Sequence, residues 1–301
     1  MSNSLKYYLF SVYTLFVFLN SSIAQISSYK LIDLKNYISA ASSISIDTER
    51  NIFVLDSDNN KLIKLNDEGK FIKEIGSWGW GNYNFDKPIS VHASVGLNVY
   101  VSDYYNHRII RFNKQLEYIS TLYKRNTDNL HLTFGLPTAI AVDQFSNLFI
   151  YDNENKRILK FDKNGEINSS FGGYESVSER VANPIKFEID FESNLYVLEK
   201  NKIWIFDNWG TRRGIIKFDS SYSVSTFCLE GTNVYTIHNG KYITEYDSFG
   251  RQLNQFDLTG FFADSFAGDI IDIELLAGNF YFLTPNTIII SVKNTINNSV
   301  K

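Results

Sequence analysis

Residues 137–171 read PTAIAVDQFSNLFIYDNENKRILKFDKNGEINSSF. This stretch contains four short runs of β-branched and aromatic residues, and Asp, Asn and Gly separate the runs. Runs of this length and composition predict strands, and the polar residues between them predict tight turns. The stretch therefore predicts one sheet of four short antiparallel strands.

The second run of this unit begins with a four-residue motif: Asn, then an apolar, an aromatic and a further mostly apolar residue. Copies of the motif recur at intervals of 47, 49, 47, 39 and 46 residues. They begin at Asn51, Asn98, Asn147, Asn194, Asn233 and Asn279. Six units at this spacing predict an all-β fold, a six-bladed β-propeller of four-stranded antiparallel blades.

The sixth unit is one strand short, because no strand pattern follows residues 287–292. The alternating segment 29–34, ahead of the first unit, has no other partner. We therefore expect this N-terminal strand to complete the last blade and close the ring, which leaves no long sheet edge exposed there. The propeller then spans residues 25–293, and residues 294–301 form a C-terminal tail.

A glycine ends the turn between the third and fourth strands of four units, where a positive φ is needed. These glycines are Gly69, Gly165, Gly210 and Gly250. The second unit departs from this pattern with Asn113-Lys-Gln115.

The first 24 residues have the composition of a secretory signal peptide. Lys6 precedes an apolar run that ends at Leu19, and Ser22 and Ala24 are the small residues expected before a cleavage site. The run is shorter than the roughly 20 apolar residues of a membrane-spanning helix. The sequence thus predicts cleavage before Gln25 and export to the periplasm or the extracellular space, without a stable membrane anchor.

Composition and charge argue against several classes of protein. The chain has 29 basic and 33 acidic residues, a net charge of −4, and loss of Lys6 with the signal peptide makes it −5. An acidic chain without a basic block does not favour nucleic acid as the partner. Cys228 is the single cysteine, so there is no intramolecular disulfide framework and no multi-cysteine metal site.

Three segments share an acidic residue, an Asn-containing turn, a basic residue and then alternating apolar positions. They are Asp56-Ser-Asp-Asn-Asn-Lys-Leu-Ile-Lys-Leu65, Asp103-Tyr-Tyr-Asn-His-Arg-Ile-Ile-Arg-Phe112 and Asp152-Asn-Glu-Asn-Lys-Arg-Ile-Leu-Lys-Phe161. This pattern resembles the core of the NHL repeat, and the resemblance covers nearly the whole chain after residue 24. It implies a six-bladed propeller but no particular activity, because this fold hosts enzymes, nucleic-acid binders and protein-binding modules.

The resemblance also implies where a metal would bind. NHL-like and neighbouring propellers include metal-dependent lyases and lactonase-like hydrolases, which hold the ion in the central channel on side chains of the innermost strands. The corresponding position, four residues after the start of each blade, is occupied by Ser45, His92, Ala141, Glu188, Phe227 and Ile273. Only His92 and Glu188 are suitable ligands, for zinc or calcium. The alternative is that both are isolated polar residues near a solvated channel, and no other cofactor is expected.

Four carboxylates end the second strand of successive units, at Asp56, Asp103, Asp152 and Glu199. A ring of carboxylates could bind a cation. An Asn three or four residues later instead favours a capping role, in which the side chain accepts hydrogen bonds from the backbone of a tight loop.

Long loops between blades, at 77–87, 123–136 and 174–183, carry aromatic and basic residues. In a propeller these loops lie on the same face as the turns between second and third strands. Exposed aromatic rings beside basic and amide groups can contact a protein, peptide or glycan. The alternative is that the rings fold over the blades and seal the core. The candidate contacts are Trp78, Trp80, Tyr83, Tyr104, Tyr105 and Arg125.

These observations favour an exported binding or scaffolding module over an enzyme. The competing hypothesis is a metal-dependent lyase or hydrolase with His92 and Glu188 in the central channel. A purely structural role in a larger envelope complex is the third possibility.

Overall fold

The structure is a computed structural model that describes residues 26–123, 133–175, 179–219, 221–258, 262 and 270–293. The predicted signal peptide, the tail 294–301 and Arg125 lie outside the described residues. The described chain forms 24 strands in six antiparallel sheets of four strands each. The prediction of an all-β, six-bladed propeller is confirmed.

The first three blades each use four consecutive strands. Blade 1 consists of β2 (Ser43–Ile46), β3 (Ile52–Asp56), β4 (Lys61–Leu65) and β5 (Phe71–Ile75). Blade 2 consists of β6 (Pro88–His92), β7 (Asn98–Asp103), β8 (Arg108–Asn113) and β9 (Tyr118–Tyr123). Blade 3 consists of β10 (Pro137–Val142), β11 (Leu148–Asp152), β12 (Arg157–Phe161) and β13 (Ile167–Phe171).

The last three blades end with the closure of the ring. Blade 4 consists of β14 (Lys186–Ile189), β15 (Leu195–Glu199), β16 (Lys202–Phe206) and β17 (Arg212–Lys217). Blade 5 consists of β18 (Val224–Glu230), β19 (Asn233–His238), β20 (Tyr242–Tyr246) and β21 (Gln252–Asp257). Blade 6 consists of β22 (Asp272–Leu276), β23 (Asn279–Leu283), β24 (Thr287–Lys293) and the N-terminal β1 (Ile26–Asp33).

The pairing of β1 with β24 confirms the predicted closure. The register runs from Ile26 opposite Lys293 to Asp33 opposite Thr287. The first strands of all six blades then contact one another in sequence around the centre, β22 against β2 included. No blade edge is left open at the junction of the chain ends.

The hydrophobic core is divided into six clusters, one between each pair of neighbouring blades. The aromatic residue of each sequence motif is buried in the cluster between its own blade and the next. Burial of one such side chain contributes about 1.5–3 kcal/mol. The recurring aromatic residues therefore join neighbouring blades. They are Phe53, Tyr100, Phe149, Tyr196, Tyr235 and Tyr281.

Antiparallel order gives the ring two faces. The upper face carries the loops between blades and the turns between second and third strands. The lower face carries the turns between first and second strands and those between third and fourth strands.

Asx turns build the lower face. Asp143 accepts hydrogen bonds from the backbone N–H groups of Phe145 and Asn147, at 2.9 and 2.8 Å, and from the side-chain amide of Asn147 at 2.8 Å. Asp47 and Asp190 repeat this arrangement. In blades 1, 3 and 4 the Asn of the sequence motif is thus fixed by an Asp four residues earlier.

The turns between third and fourth strands have the predicted backbone. Gly69, Gly165, Gly210 and Gly250 all have positive φ. In blade 2, Leu116 occupies the equivalent position with φ 56° and is fully buried. The side chain packs into the cluster between blades 1 and 2, so core burial offsets the cost of a left-handed leucine.

Within the described residues, no helix has the length and apolar character that crossing a membrane requires.

Candidate functional site

The carboxylates that end the second strands bind the incoming loops between blades. Asp103 accepts the Asp86 N–H at 2.7 Å, and Asp152 accepts the Gly135 N–H at 3.1 Å. Asp56 and Glu199 bind their own loops in the same way. Capping, rather than a cation-binding ring, is therefore what these side chains do in the structure, and each also ties one blade to the loop that precedes it.

A buried arginine holds the aromatic loop 76–87 of the upper face. Arg108 donates from Nε to Asp103 Oδ2 at 2.7 Å, and neither side chain is exposed. Its terminal nitrogens donate to the carbonyl oxygens of Trp80, Gly81 and Asn84 at 2.8, 3.1 and 2.9 Å. One guanidinium thus fixes three points of the loop backbone, which pre-organises the side chains of the loop.

The two tryptophans of this loop project into solvent. Trp78 and Trp80 are 71% and 63% exposed, whereas Phe85 of the same loop is fully buried in the core between blades 1 and 2. Tyr83 is partly structural, because its hydroxyl accepts the Tyr118 N–H at 3.1 Å. In this loop Phe85 therefore seals the core, whereas the two tryptophans do not.

The turn that follows β7 lies against this loop. The N–H groups of Tyr104 and Tyr105 donate to the carbonyls of Lys87 and Asp86, at 3.4 and 3.1 Å. The two tyrosine rings meet edge to face at 5.0 Å, and Tyr105 is exposed. The structure thus brings five of the six predicted contacts to one region, and the sixth, Arg125, lies outside the described residues.

The first strands of all six blades line a central cavity of about 180 Å³. His92 and Glu188 both line it. The predicted positions Phe227 and Ile273 do not, because both are fully buried among the apolar side chains between blades.

That part of the prediction was wrong by one residue in blades 5 and 6. Glu188 pairs with Tyr196, the aromatic residue of its motif, and the equivalent partners of Tyr235 and Tyr281 are Cys228 and Glu274. The turn between first and second strands is one residue shorter in these blades. Because side chains alternate across a strand, a fixed offset then selects the wrong face.

Lys186 is the centre of the charged side chains in this cavity. Its Nζ lies 3.0 Å from Glu188 Oε1, 2.9 Å from Asp272 Oδ1 and 3.3 Å from Glu274 Oε1. It also donates to the Ile273 carbonyl at 2.7 Å. Burial raises the pKa of Glu188 and, more strongly, that of Glu274, although Lys186 opposes both shifts. The single ammonium of Lys186 therefore compensates part of the charge of the three carboxyl groups around it.

His92 is neutral. Burial, followed by the nearby charges of Lys114 and Lys186, lowers its pKa to about 3. Its Nε2 accepts the Val142 N–H at 3.3 Å and lies 3.2 Å from Ser94 Oγ. The two predicted metal ligands thus share a cavity, but each already has protein partners there. In the part of the chain that the structure describes, no three His, Cys, Asp or Glu side chains are grouped so that they could hold a metal.

Sequence reasoning missed Arg108, Lys186, Asp272 and Glu274. Arg108 follows the Asn-containing turn of the repeat, and Arg157 follows the turn of blade 3, so a recurring basic residue was the available signal. Nothing local marks the other three, which meet across the channel from blades 4 and 6.

Comparison with known proteins supports the fold. No family model matches the chain and no curated protein matches its sequence. A streptogramin B lyase structure superposes with a TM-score of 0.62 at 13% identity, covering 89% of this chain and 98% of that one. Virginiamycin B lyase from Staphylococcus aureus, in its selenomethionine form, gives 0.58 at 13% identity, covering 85% and 82%.

A catalytically inactive variant of that S. aureus lyase, solved with quinupristin, gives a TM-score of 0.58 at 15% identity, covering 88% of this chain and all of that one. Identities this low show a shared propeller fold and nothing of the chemistry. The resemblance to NHL repeats stays a prediction.

Proposed function

We propose that this chain is an exported binding module that captures a protein, peptide or glycan on its upper face. The contacts are the predicted set Trp78, Trp80, Tyr83, Tyr104, Tyr105 and Arg125. The observation that carries the proposal is the buried Arg108, which fixes the backbone of a loop whose two tryptophans remain in solvent.

A soluble chain gains nothing in stability from a well-ordered loop that leaves two indole rings in water. Such rings become favourable when a partner covers them, and a fixed loop loses little conformational entropy on binding. The predicted signal peptide implies that binding takes place in the periplasm or the extracellular space.

Binding of the purified chain to a glycan array and a peptide array tests this proposal. The double variant Trp78→Ala/Trp80→Ala should weaken the signal of the upper-face ligand by about tenfold or more. The matched control is Ile72→Ala/Leu97→Ala, which removes two exposed apolar side chains of blades 1 and 2 away from the upper face. If the upper-face variant folds, as its circular dichroism should show, and binds like the wild type, the proposal fails.

A second candidate is a metal-dependent lyase or hydrolase, favoured by one observation: His92 and Glu188 line the same cavity. Against it stands Lys186, whose ammonium already lies against Glu188 and two further carboxyl groups of the cavity. Elemental analysis separates the two. The lyase candidate requires stoichiometric zinc or calcium in purified protein, and its loss from the variant His92→Ala/Glu188→Ala.

A further inference from the structure

Four aromatic side chains project from turns on the lower face, away from the upper-face loops. Phe145 and Phe191 lie on turns between first and second strands of blades 3 and 4, and both are exposed. Trp209 and Phe249 lie on turns between third and fourth strands of blades 4 and 5, and they are 80% and 91% exposed. We call these four residues the lower aromatic patch.

Hydrogen bonds and packing hold the three blades of this patch in a fixed relation. The Gln144 side chain in blade 3 donates to the Phe191 carbonyl at 2.9 Å. Lys160 in blade 3 donates to the carbonyl of Asn208, next to Trp209, at 3.1 Å. A Cβ added at Gly250, next to Phe249, would lie 3.4 Å from Ile216 Cγ2, so this turn lies close to blade 4. The turns that carry the four aromatic residues are therefore linked across blades 3 to 5.

The fold does not require aromatic residues at these positions. Trp209 and Phe249 each occupy the third position of their turn. In every turn between third and fourth strands from blade 1 to blade 5, the backbone N–H at this position donates to the side chain two residues earlier. The first three blades place Glu68, Gln115 and Asn164 there. A polar residue forms the same turn without exposing an apolar surface to water, so the rings of Trp209 and Phe249 need another explanation.

The turns between first and second strands also form without an aromatic residue at the position of Phe145. Its N–H donates to Asp143, and the equivalent N–H groups in blades 1 and 4 belong to Glu49 and Glu192. A carboxylate therefore serves the fold equally well at that position, and the ring of Phe145 is again surplus to the turn.

The surroundings of the patch are acidic. The lower-face turns of blades 3 to 5 hold seven carboxylates and two basic residues, a local net charge of 2 − 7 = −5, and Arg212 and Arg213 at the start of β17 reduce it to 4 − 7 = −3. Hydrogen bonds from the turn backbone, the Glu166 N–H first, lower the pKa of Asp162. The carboxylates of the turns are Asp143, Asp162, Glu166, Asp190, Glu192, Asp207 and Asp247, and the basic residues of the turns are Lys163 and Arg251.

We propose that the lower aromatic patch binds a protein partner through a segment in which arginine or lysine side chains alternate with apolar ones. Aromatic faces attract guanidinium and ammonium groups, and a surrounding field of carboxylates adds to that attraction. Apolar side chains of the segment would cover the remaining ring surface. The same negative field repels an anionic lipid surface and a second copy of this face.

A fluorescent decapeptide of alternating arginine and leucine is the probe. Fluorescence anisotropy should show binding to the wild-type chain that weakens as salt rises. The variant Phe145→Ser/Phe191→Ser/Trp209→Ser/Phe249→Ser should bind at least about tenfold more weakly. A peptide with citrulline in place of arginine keeps the shape without the charge and should bind the wild type as weakly.

The matched control is Leu97→Ser, which removes an exposed apolar side chain from the lower face of blade 2 and should bind the probe like the wild type. Loss of probe binding in Trp78→Ala/Trp80→Ala but not in the quadruple variant would assign the peptide to the upper face, so this inference and the proposed function fail independently. Circular dichroism checks the fold of all three variants. Equal binding of the quadruple variant overturns the inference, as does equal binding of the citrulline peptide or no binding by the wild type. Patch-dependent binding to phosphatidylglycerol vesicles, or patch-dependent self-association in ultracentrifugation, in place of peptide binding would assign the patch to another occupant.

Discussion

Two arginine–aspartate pairs, one on each face, have nearly the same geometry. Arg108 and Asp103 approach to 2.7 Å on the upper face, and Arg251 and Asp247 approach to 3.0 Å on the lower face. The first arginine side chain is fully buried, and the second is 77% exposed. Burial removes water as a competing partner, so the first pair is an integral part of a loop and the second closes a local turn.

Breaking both pairs by the same substitution should give the largest contrast. Arg108→Met leaves the Asp103 carboxylate buried without a cation and frees three carbonyls of the loop 76–87, and we expect a loss of about 3–5 kcal/mol in the free energy of unfolding. Arg251→Met should change it by less than about 0.5 kcal/mol. Urea unfolding at pH 7 measures both. Equal losses would show that burial does not determine how much each pair contributes to the free energy of unfolding.

His92, in the central cavity between the two faces, makes the stability of the fold depend on pH. The pKa of His92 falls from 6.5 to about 3 on folding, so the unfolded chain binds the extra proton between these values. The contribution of neutral His92 is therefore complete above pH 6.5 and is lost as pH falls towards 3. The slope is at most about 1.4 kcal/mol per pH unit.

His92→Gln should remove this slope. Between pH 6.5 and 4 the wild type should lose up to about 3 kcal/mol more unfolding free energy than the variant. Glu188 and Glu274 are present in both proteins, so the difference between the two urea titrations isolates the histidine. Parallel curves would mean that His92 titrates alike in the folded and unfolded chains.

Two Asx turns of the lower face give the smallest contrast. Asp143 is buried, whereas Asp162 makes equivalent hydrogen bonds to its own turn at the surface. Asp143→Ala should cost about 1–2 kcal/mol, because buried donors lose their acceptor. Asp162→Ala should cost less, since water replaces the carboxylate. Thermal unfolding of the two variants measures both losses, and a larger decrease in Tm for Asp162→Ala than for Asp143→Ala would contradict the comparison.

Much of the fold could be predicted because repetition is visible in one dimension. The motif from Asn147 and its copies gave the number of blades, and the lone segment before residue 34 gave the closing strand. The exposed rings of Trp78 and Trp80 were also found, since loop length and residue type are local properties. Whether these rings form a contact surface or seal the core depends on their exposure. That exposure is decided by the loop backbone that Arg108 binds, which directs Phe85 into the core and the two tryptophans into solvent.

What the sequence by itself determined was the periodic part of this protein: strands, turns and their number. Only the tertiary structure decided which side chains meet across blades. Lys186 is 86 residues from Asp272, and both reach one channel because the ring closes. A turn shorter by one residue moved Cys228 and Glu274 to positions that were assigned to Phe227 and Ile273. Such meetings depend on register and closure, which arise from the packing of the whole ring and from no single segment.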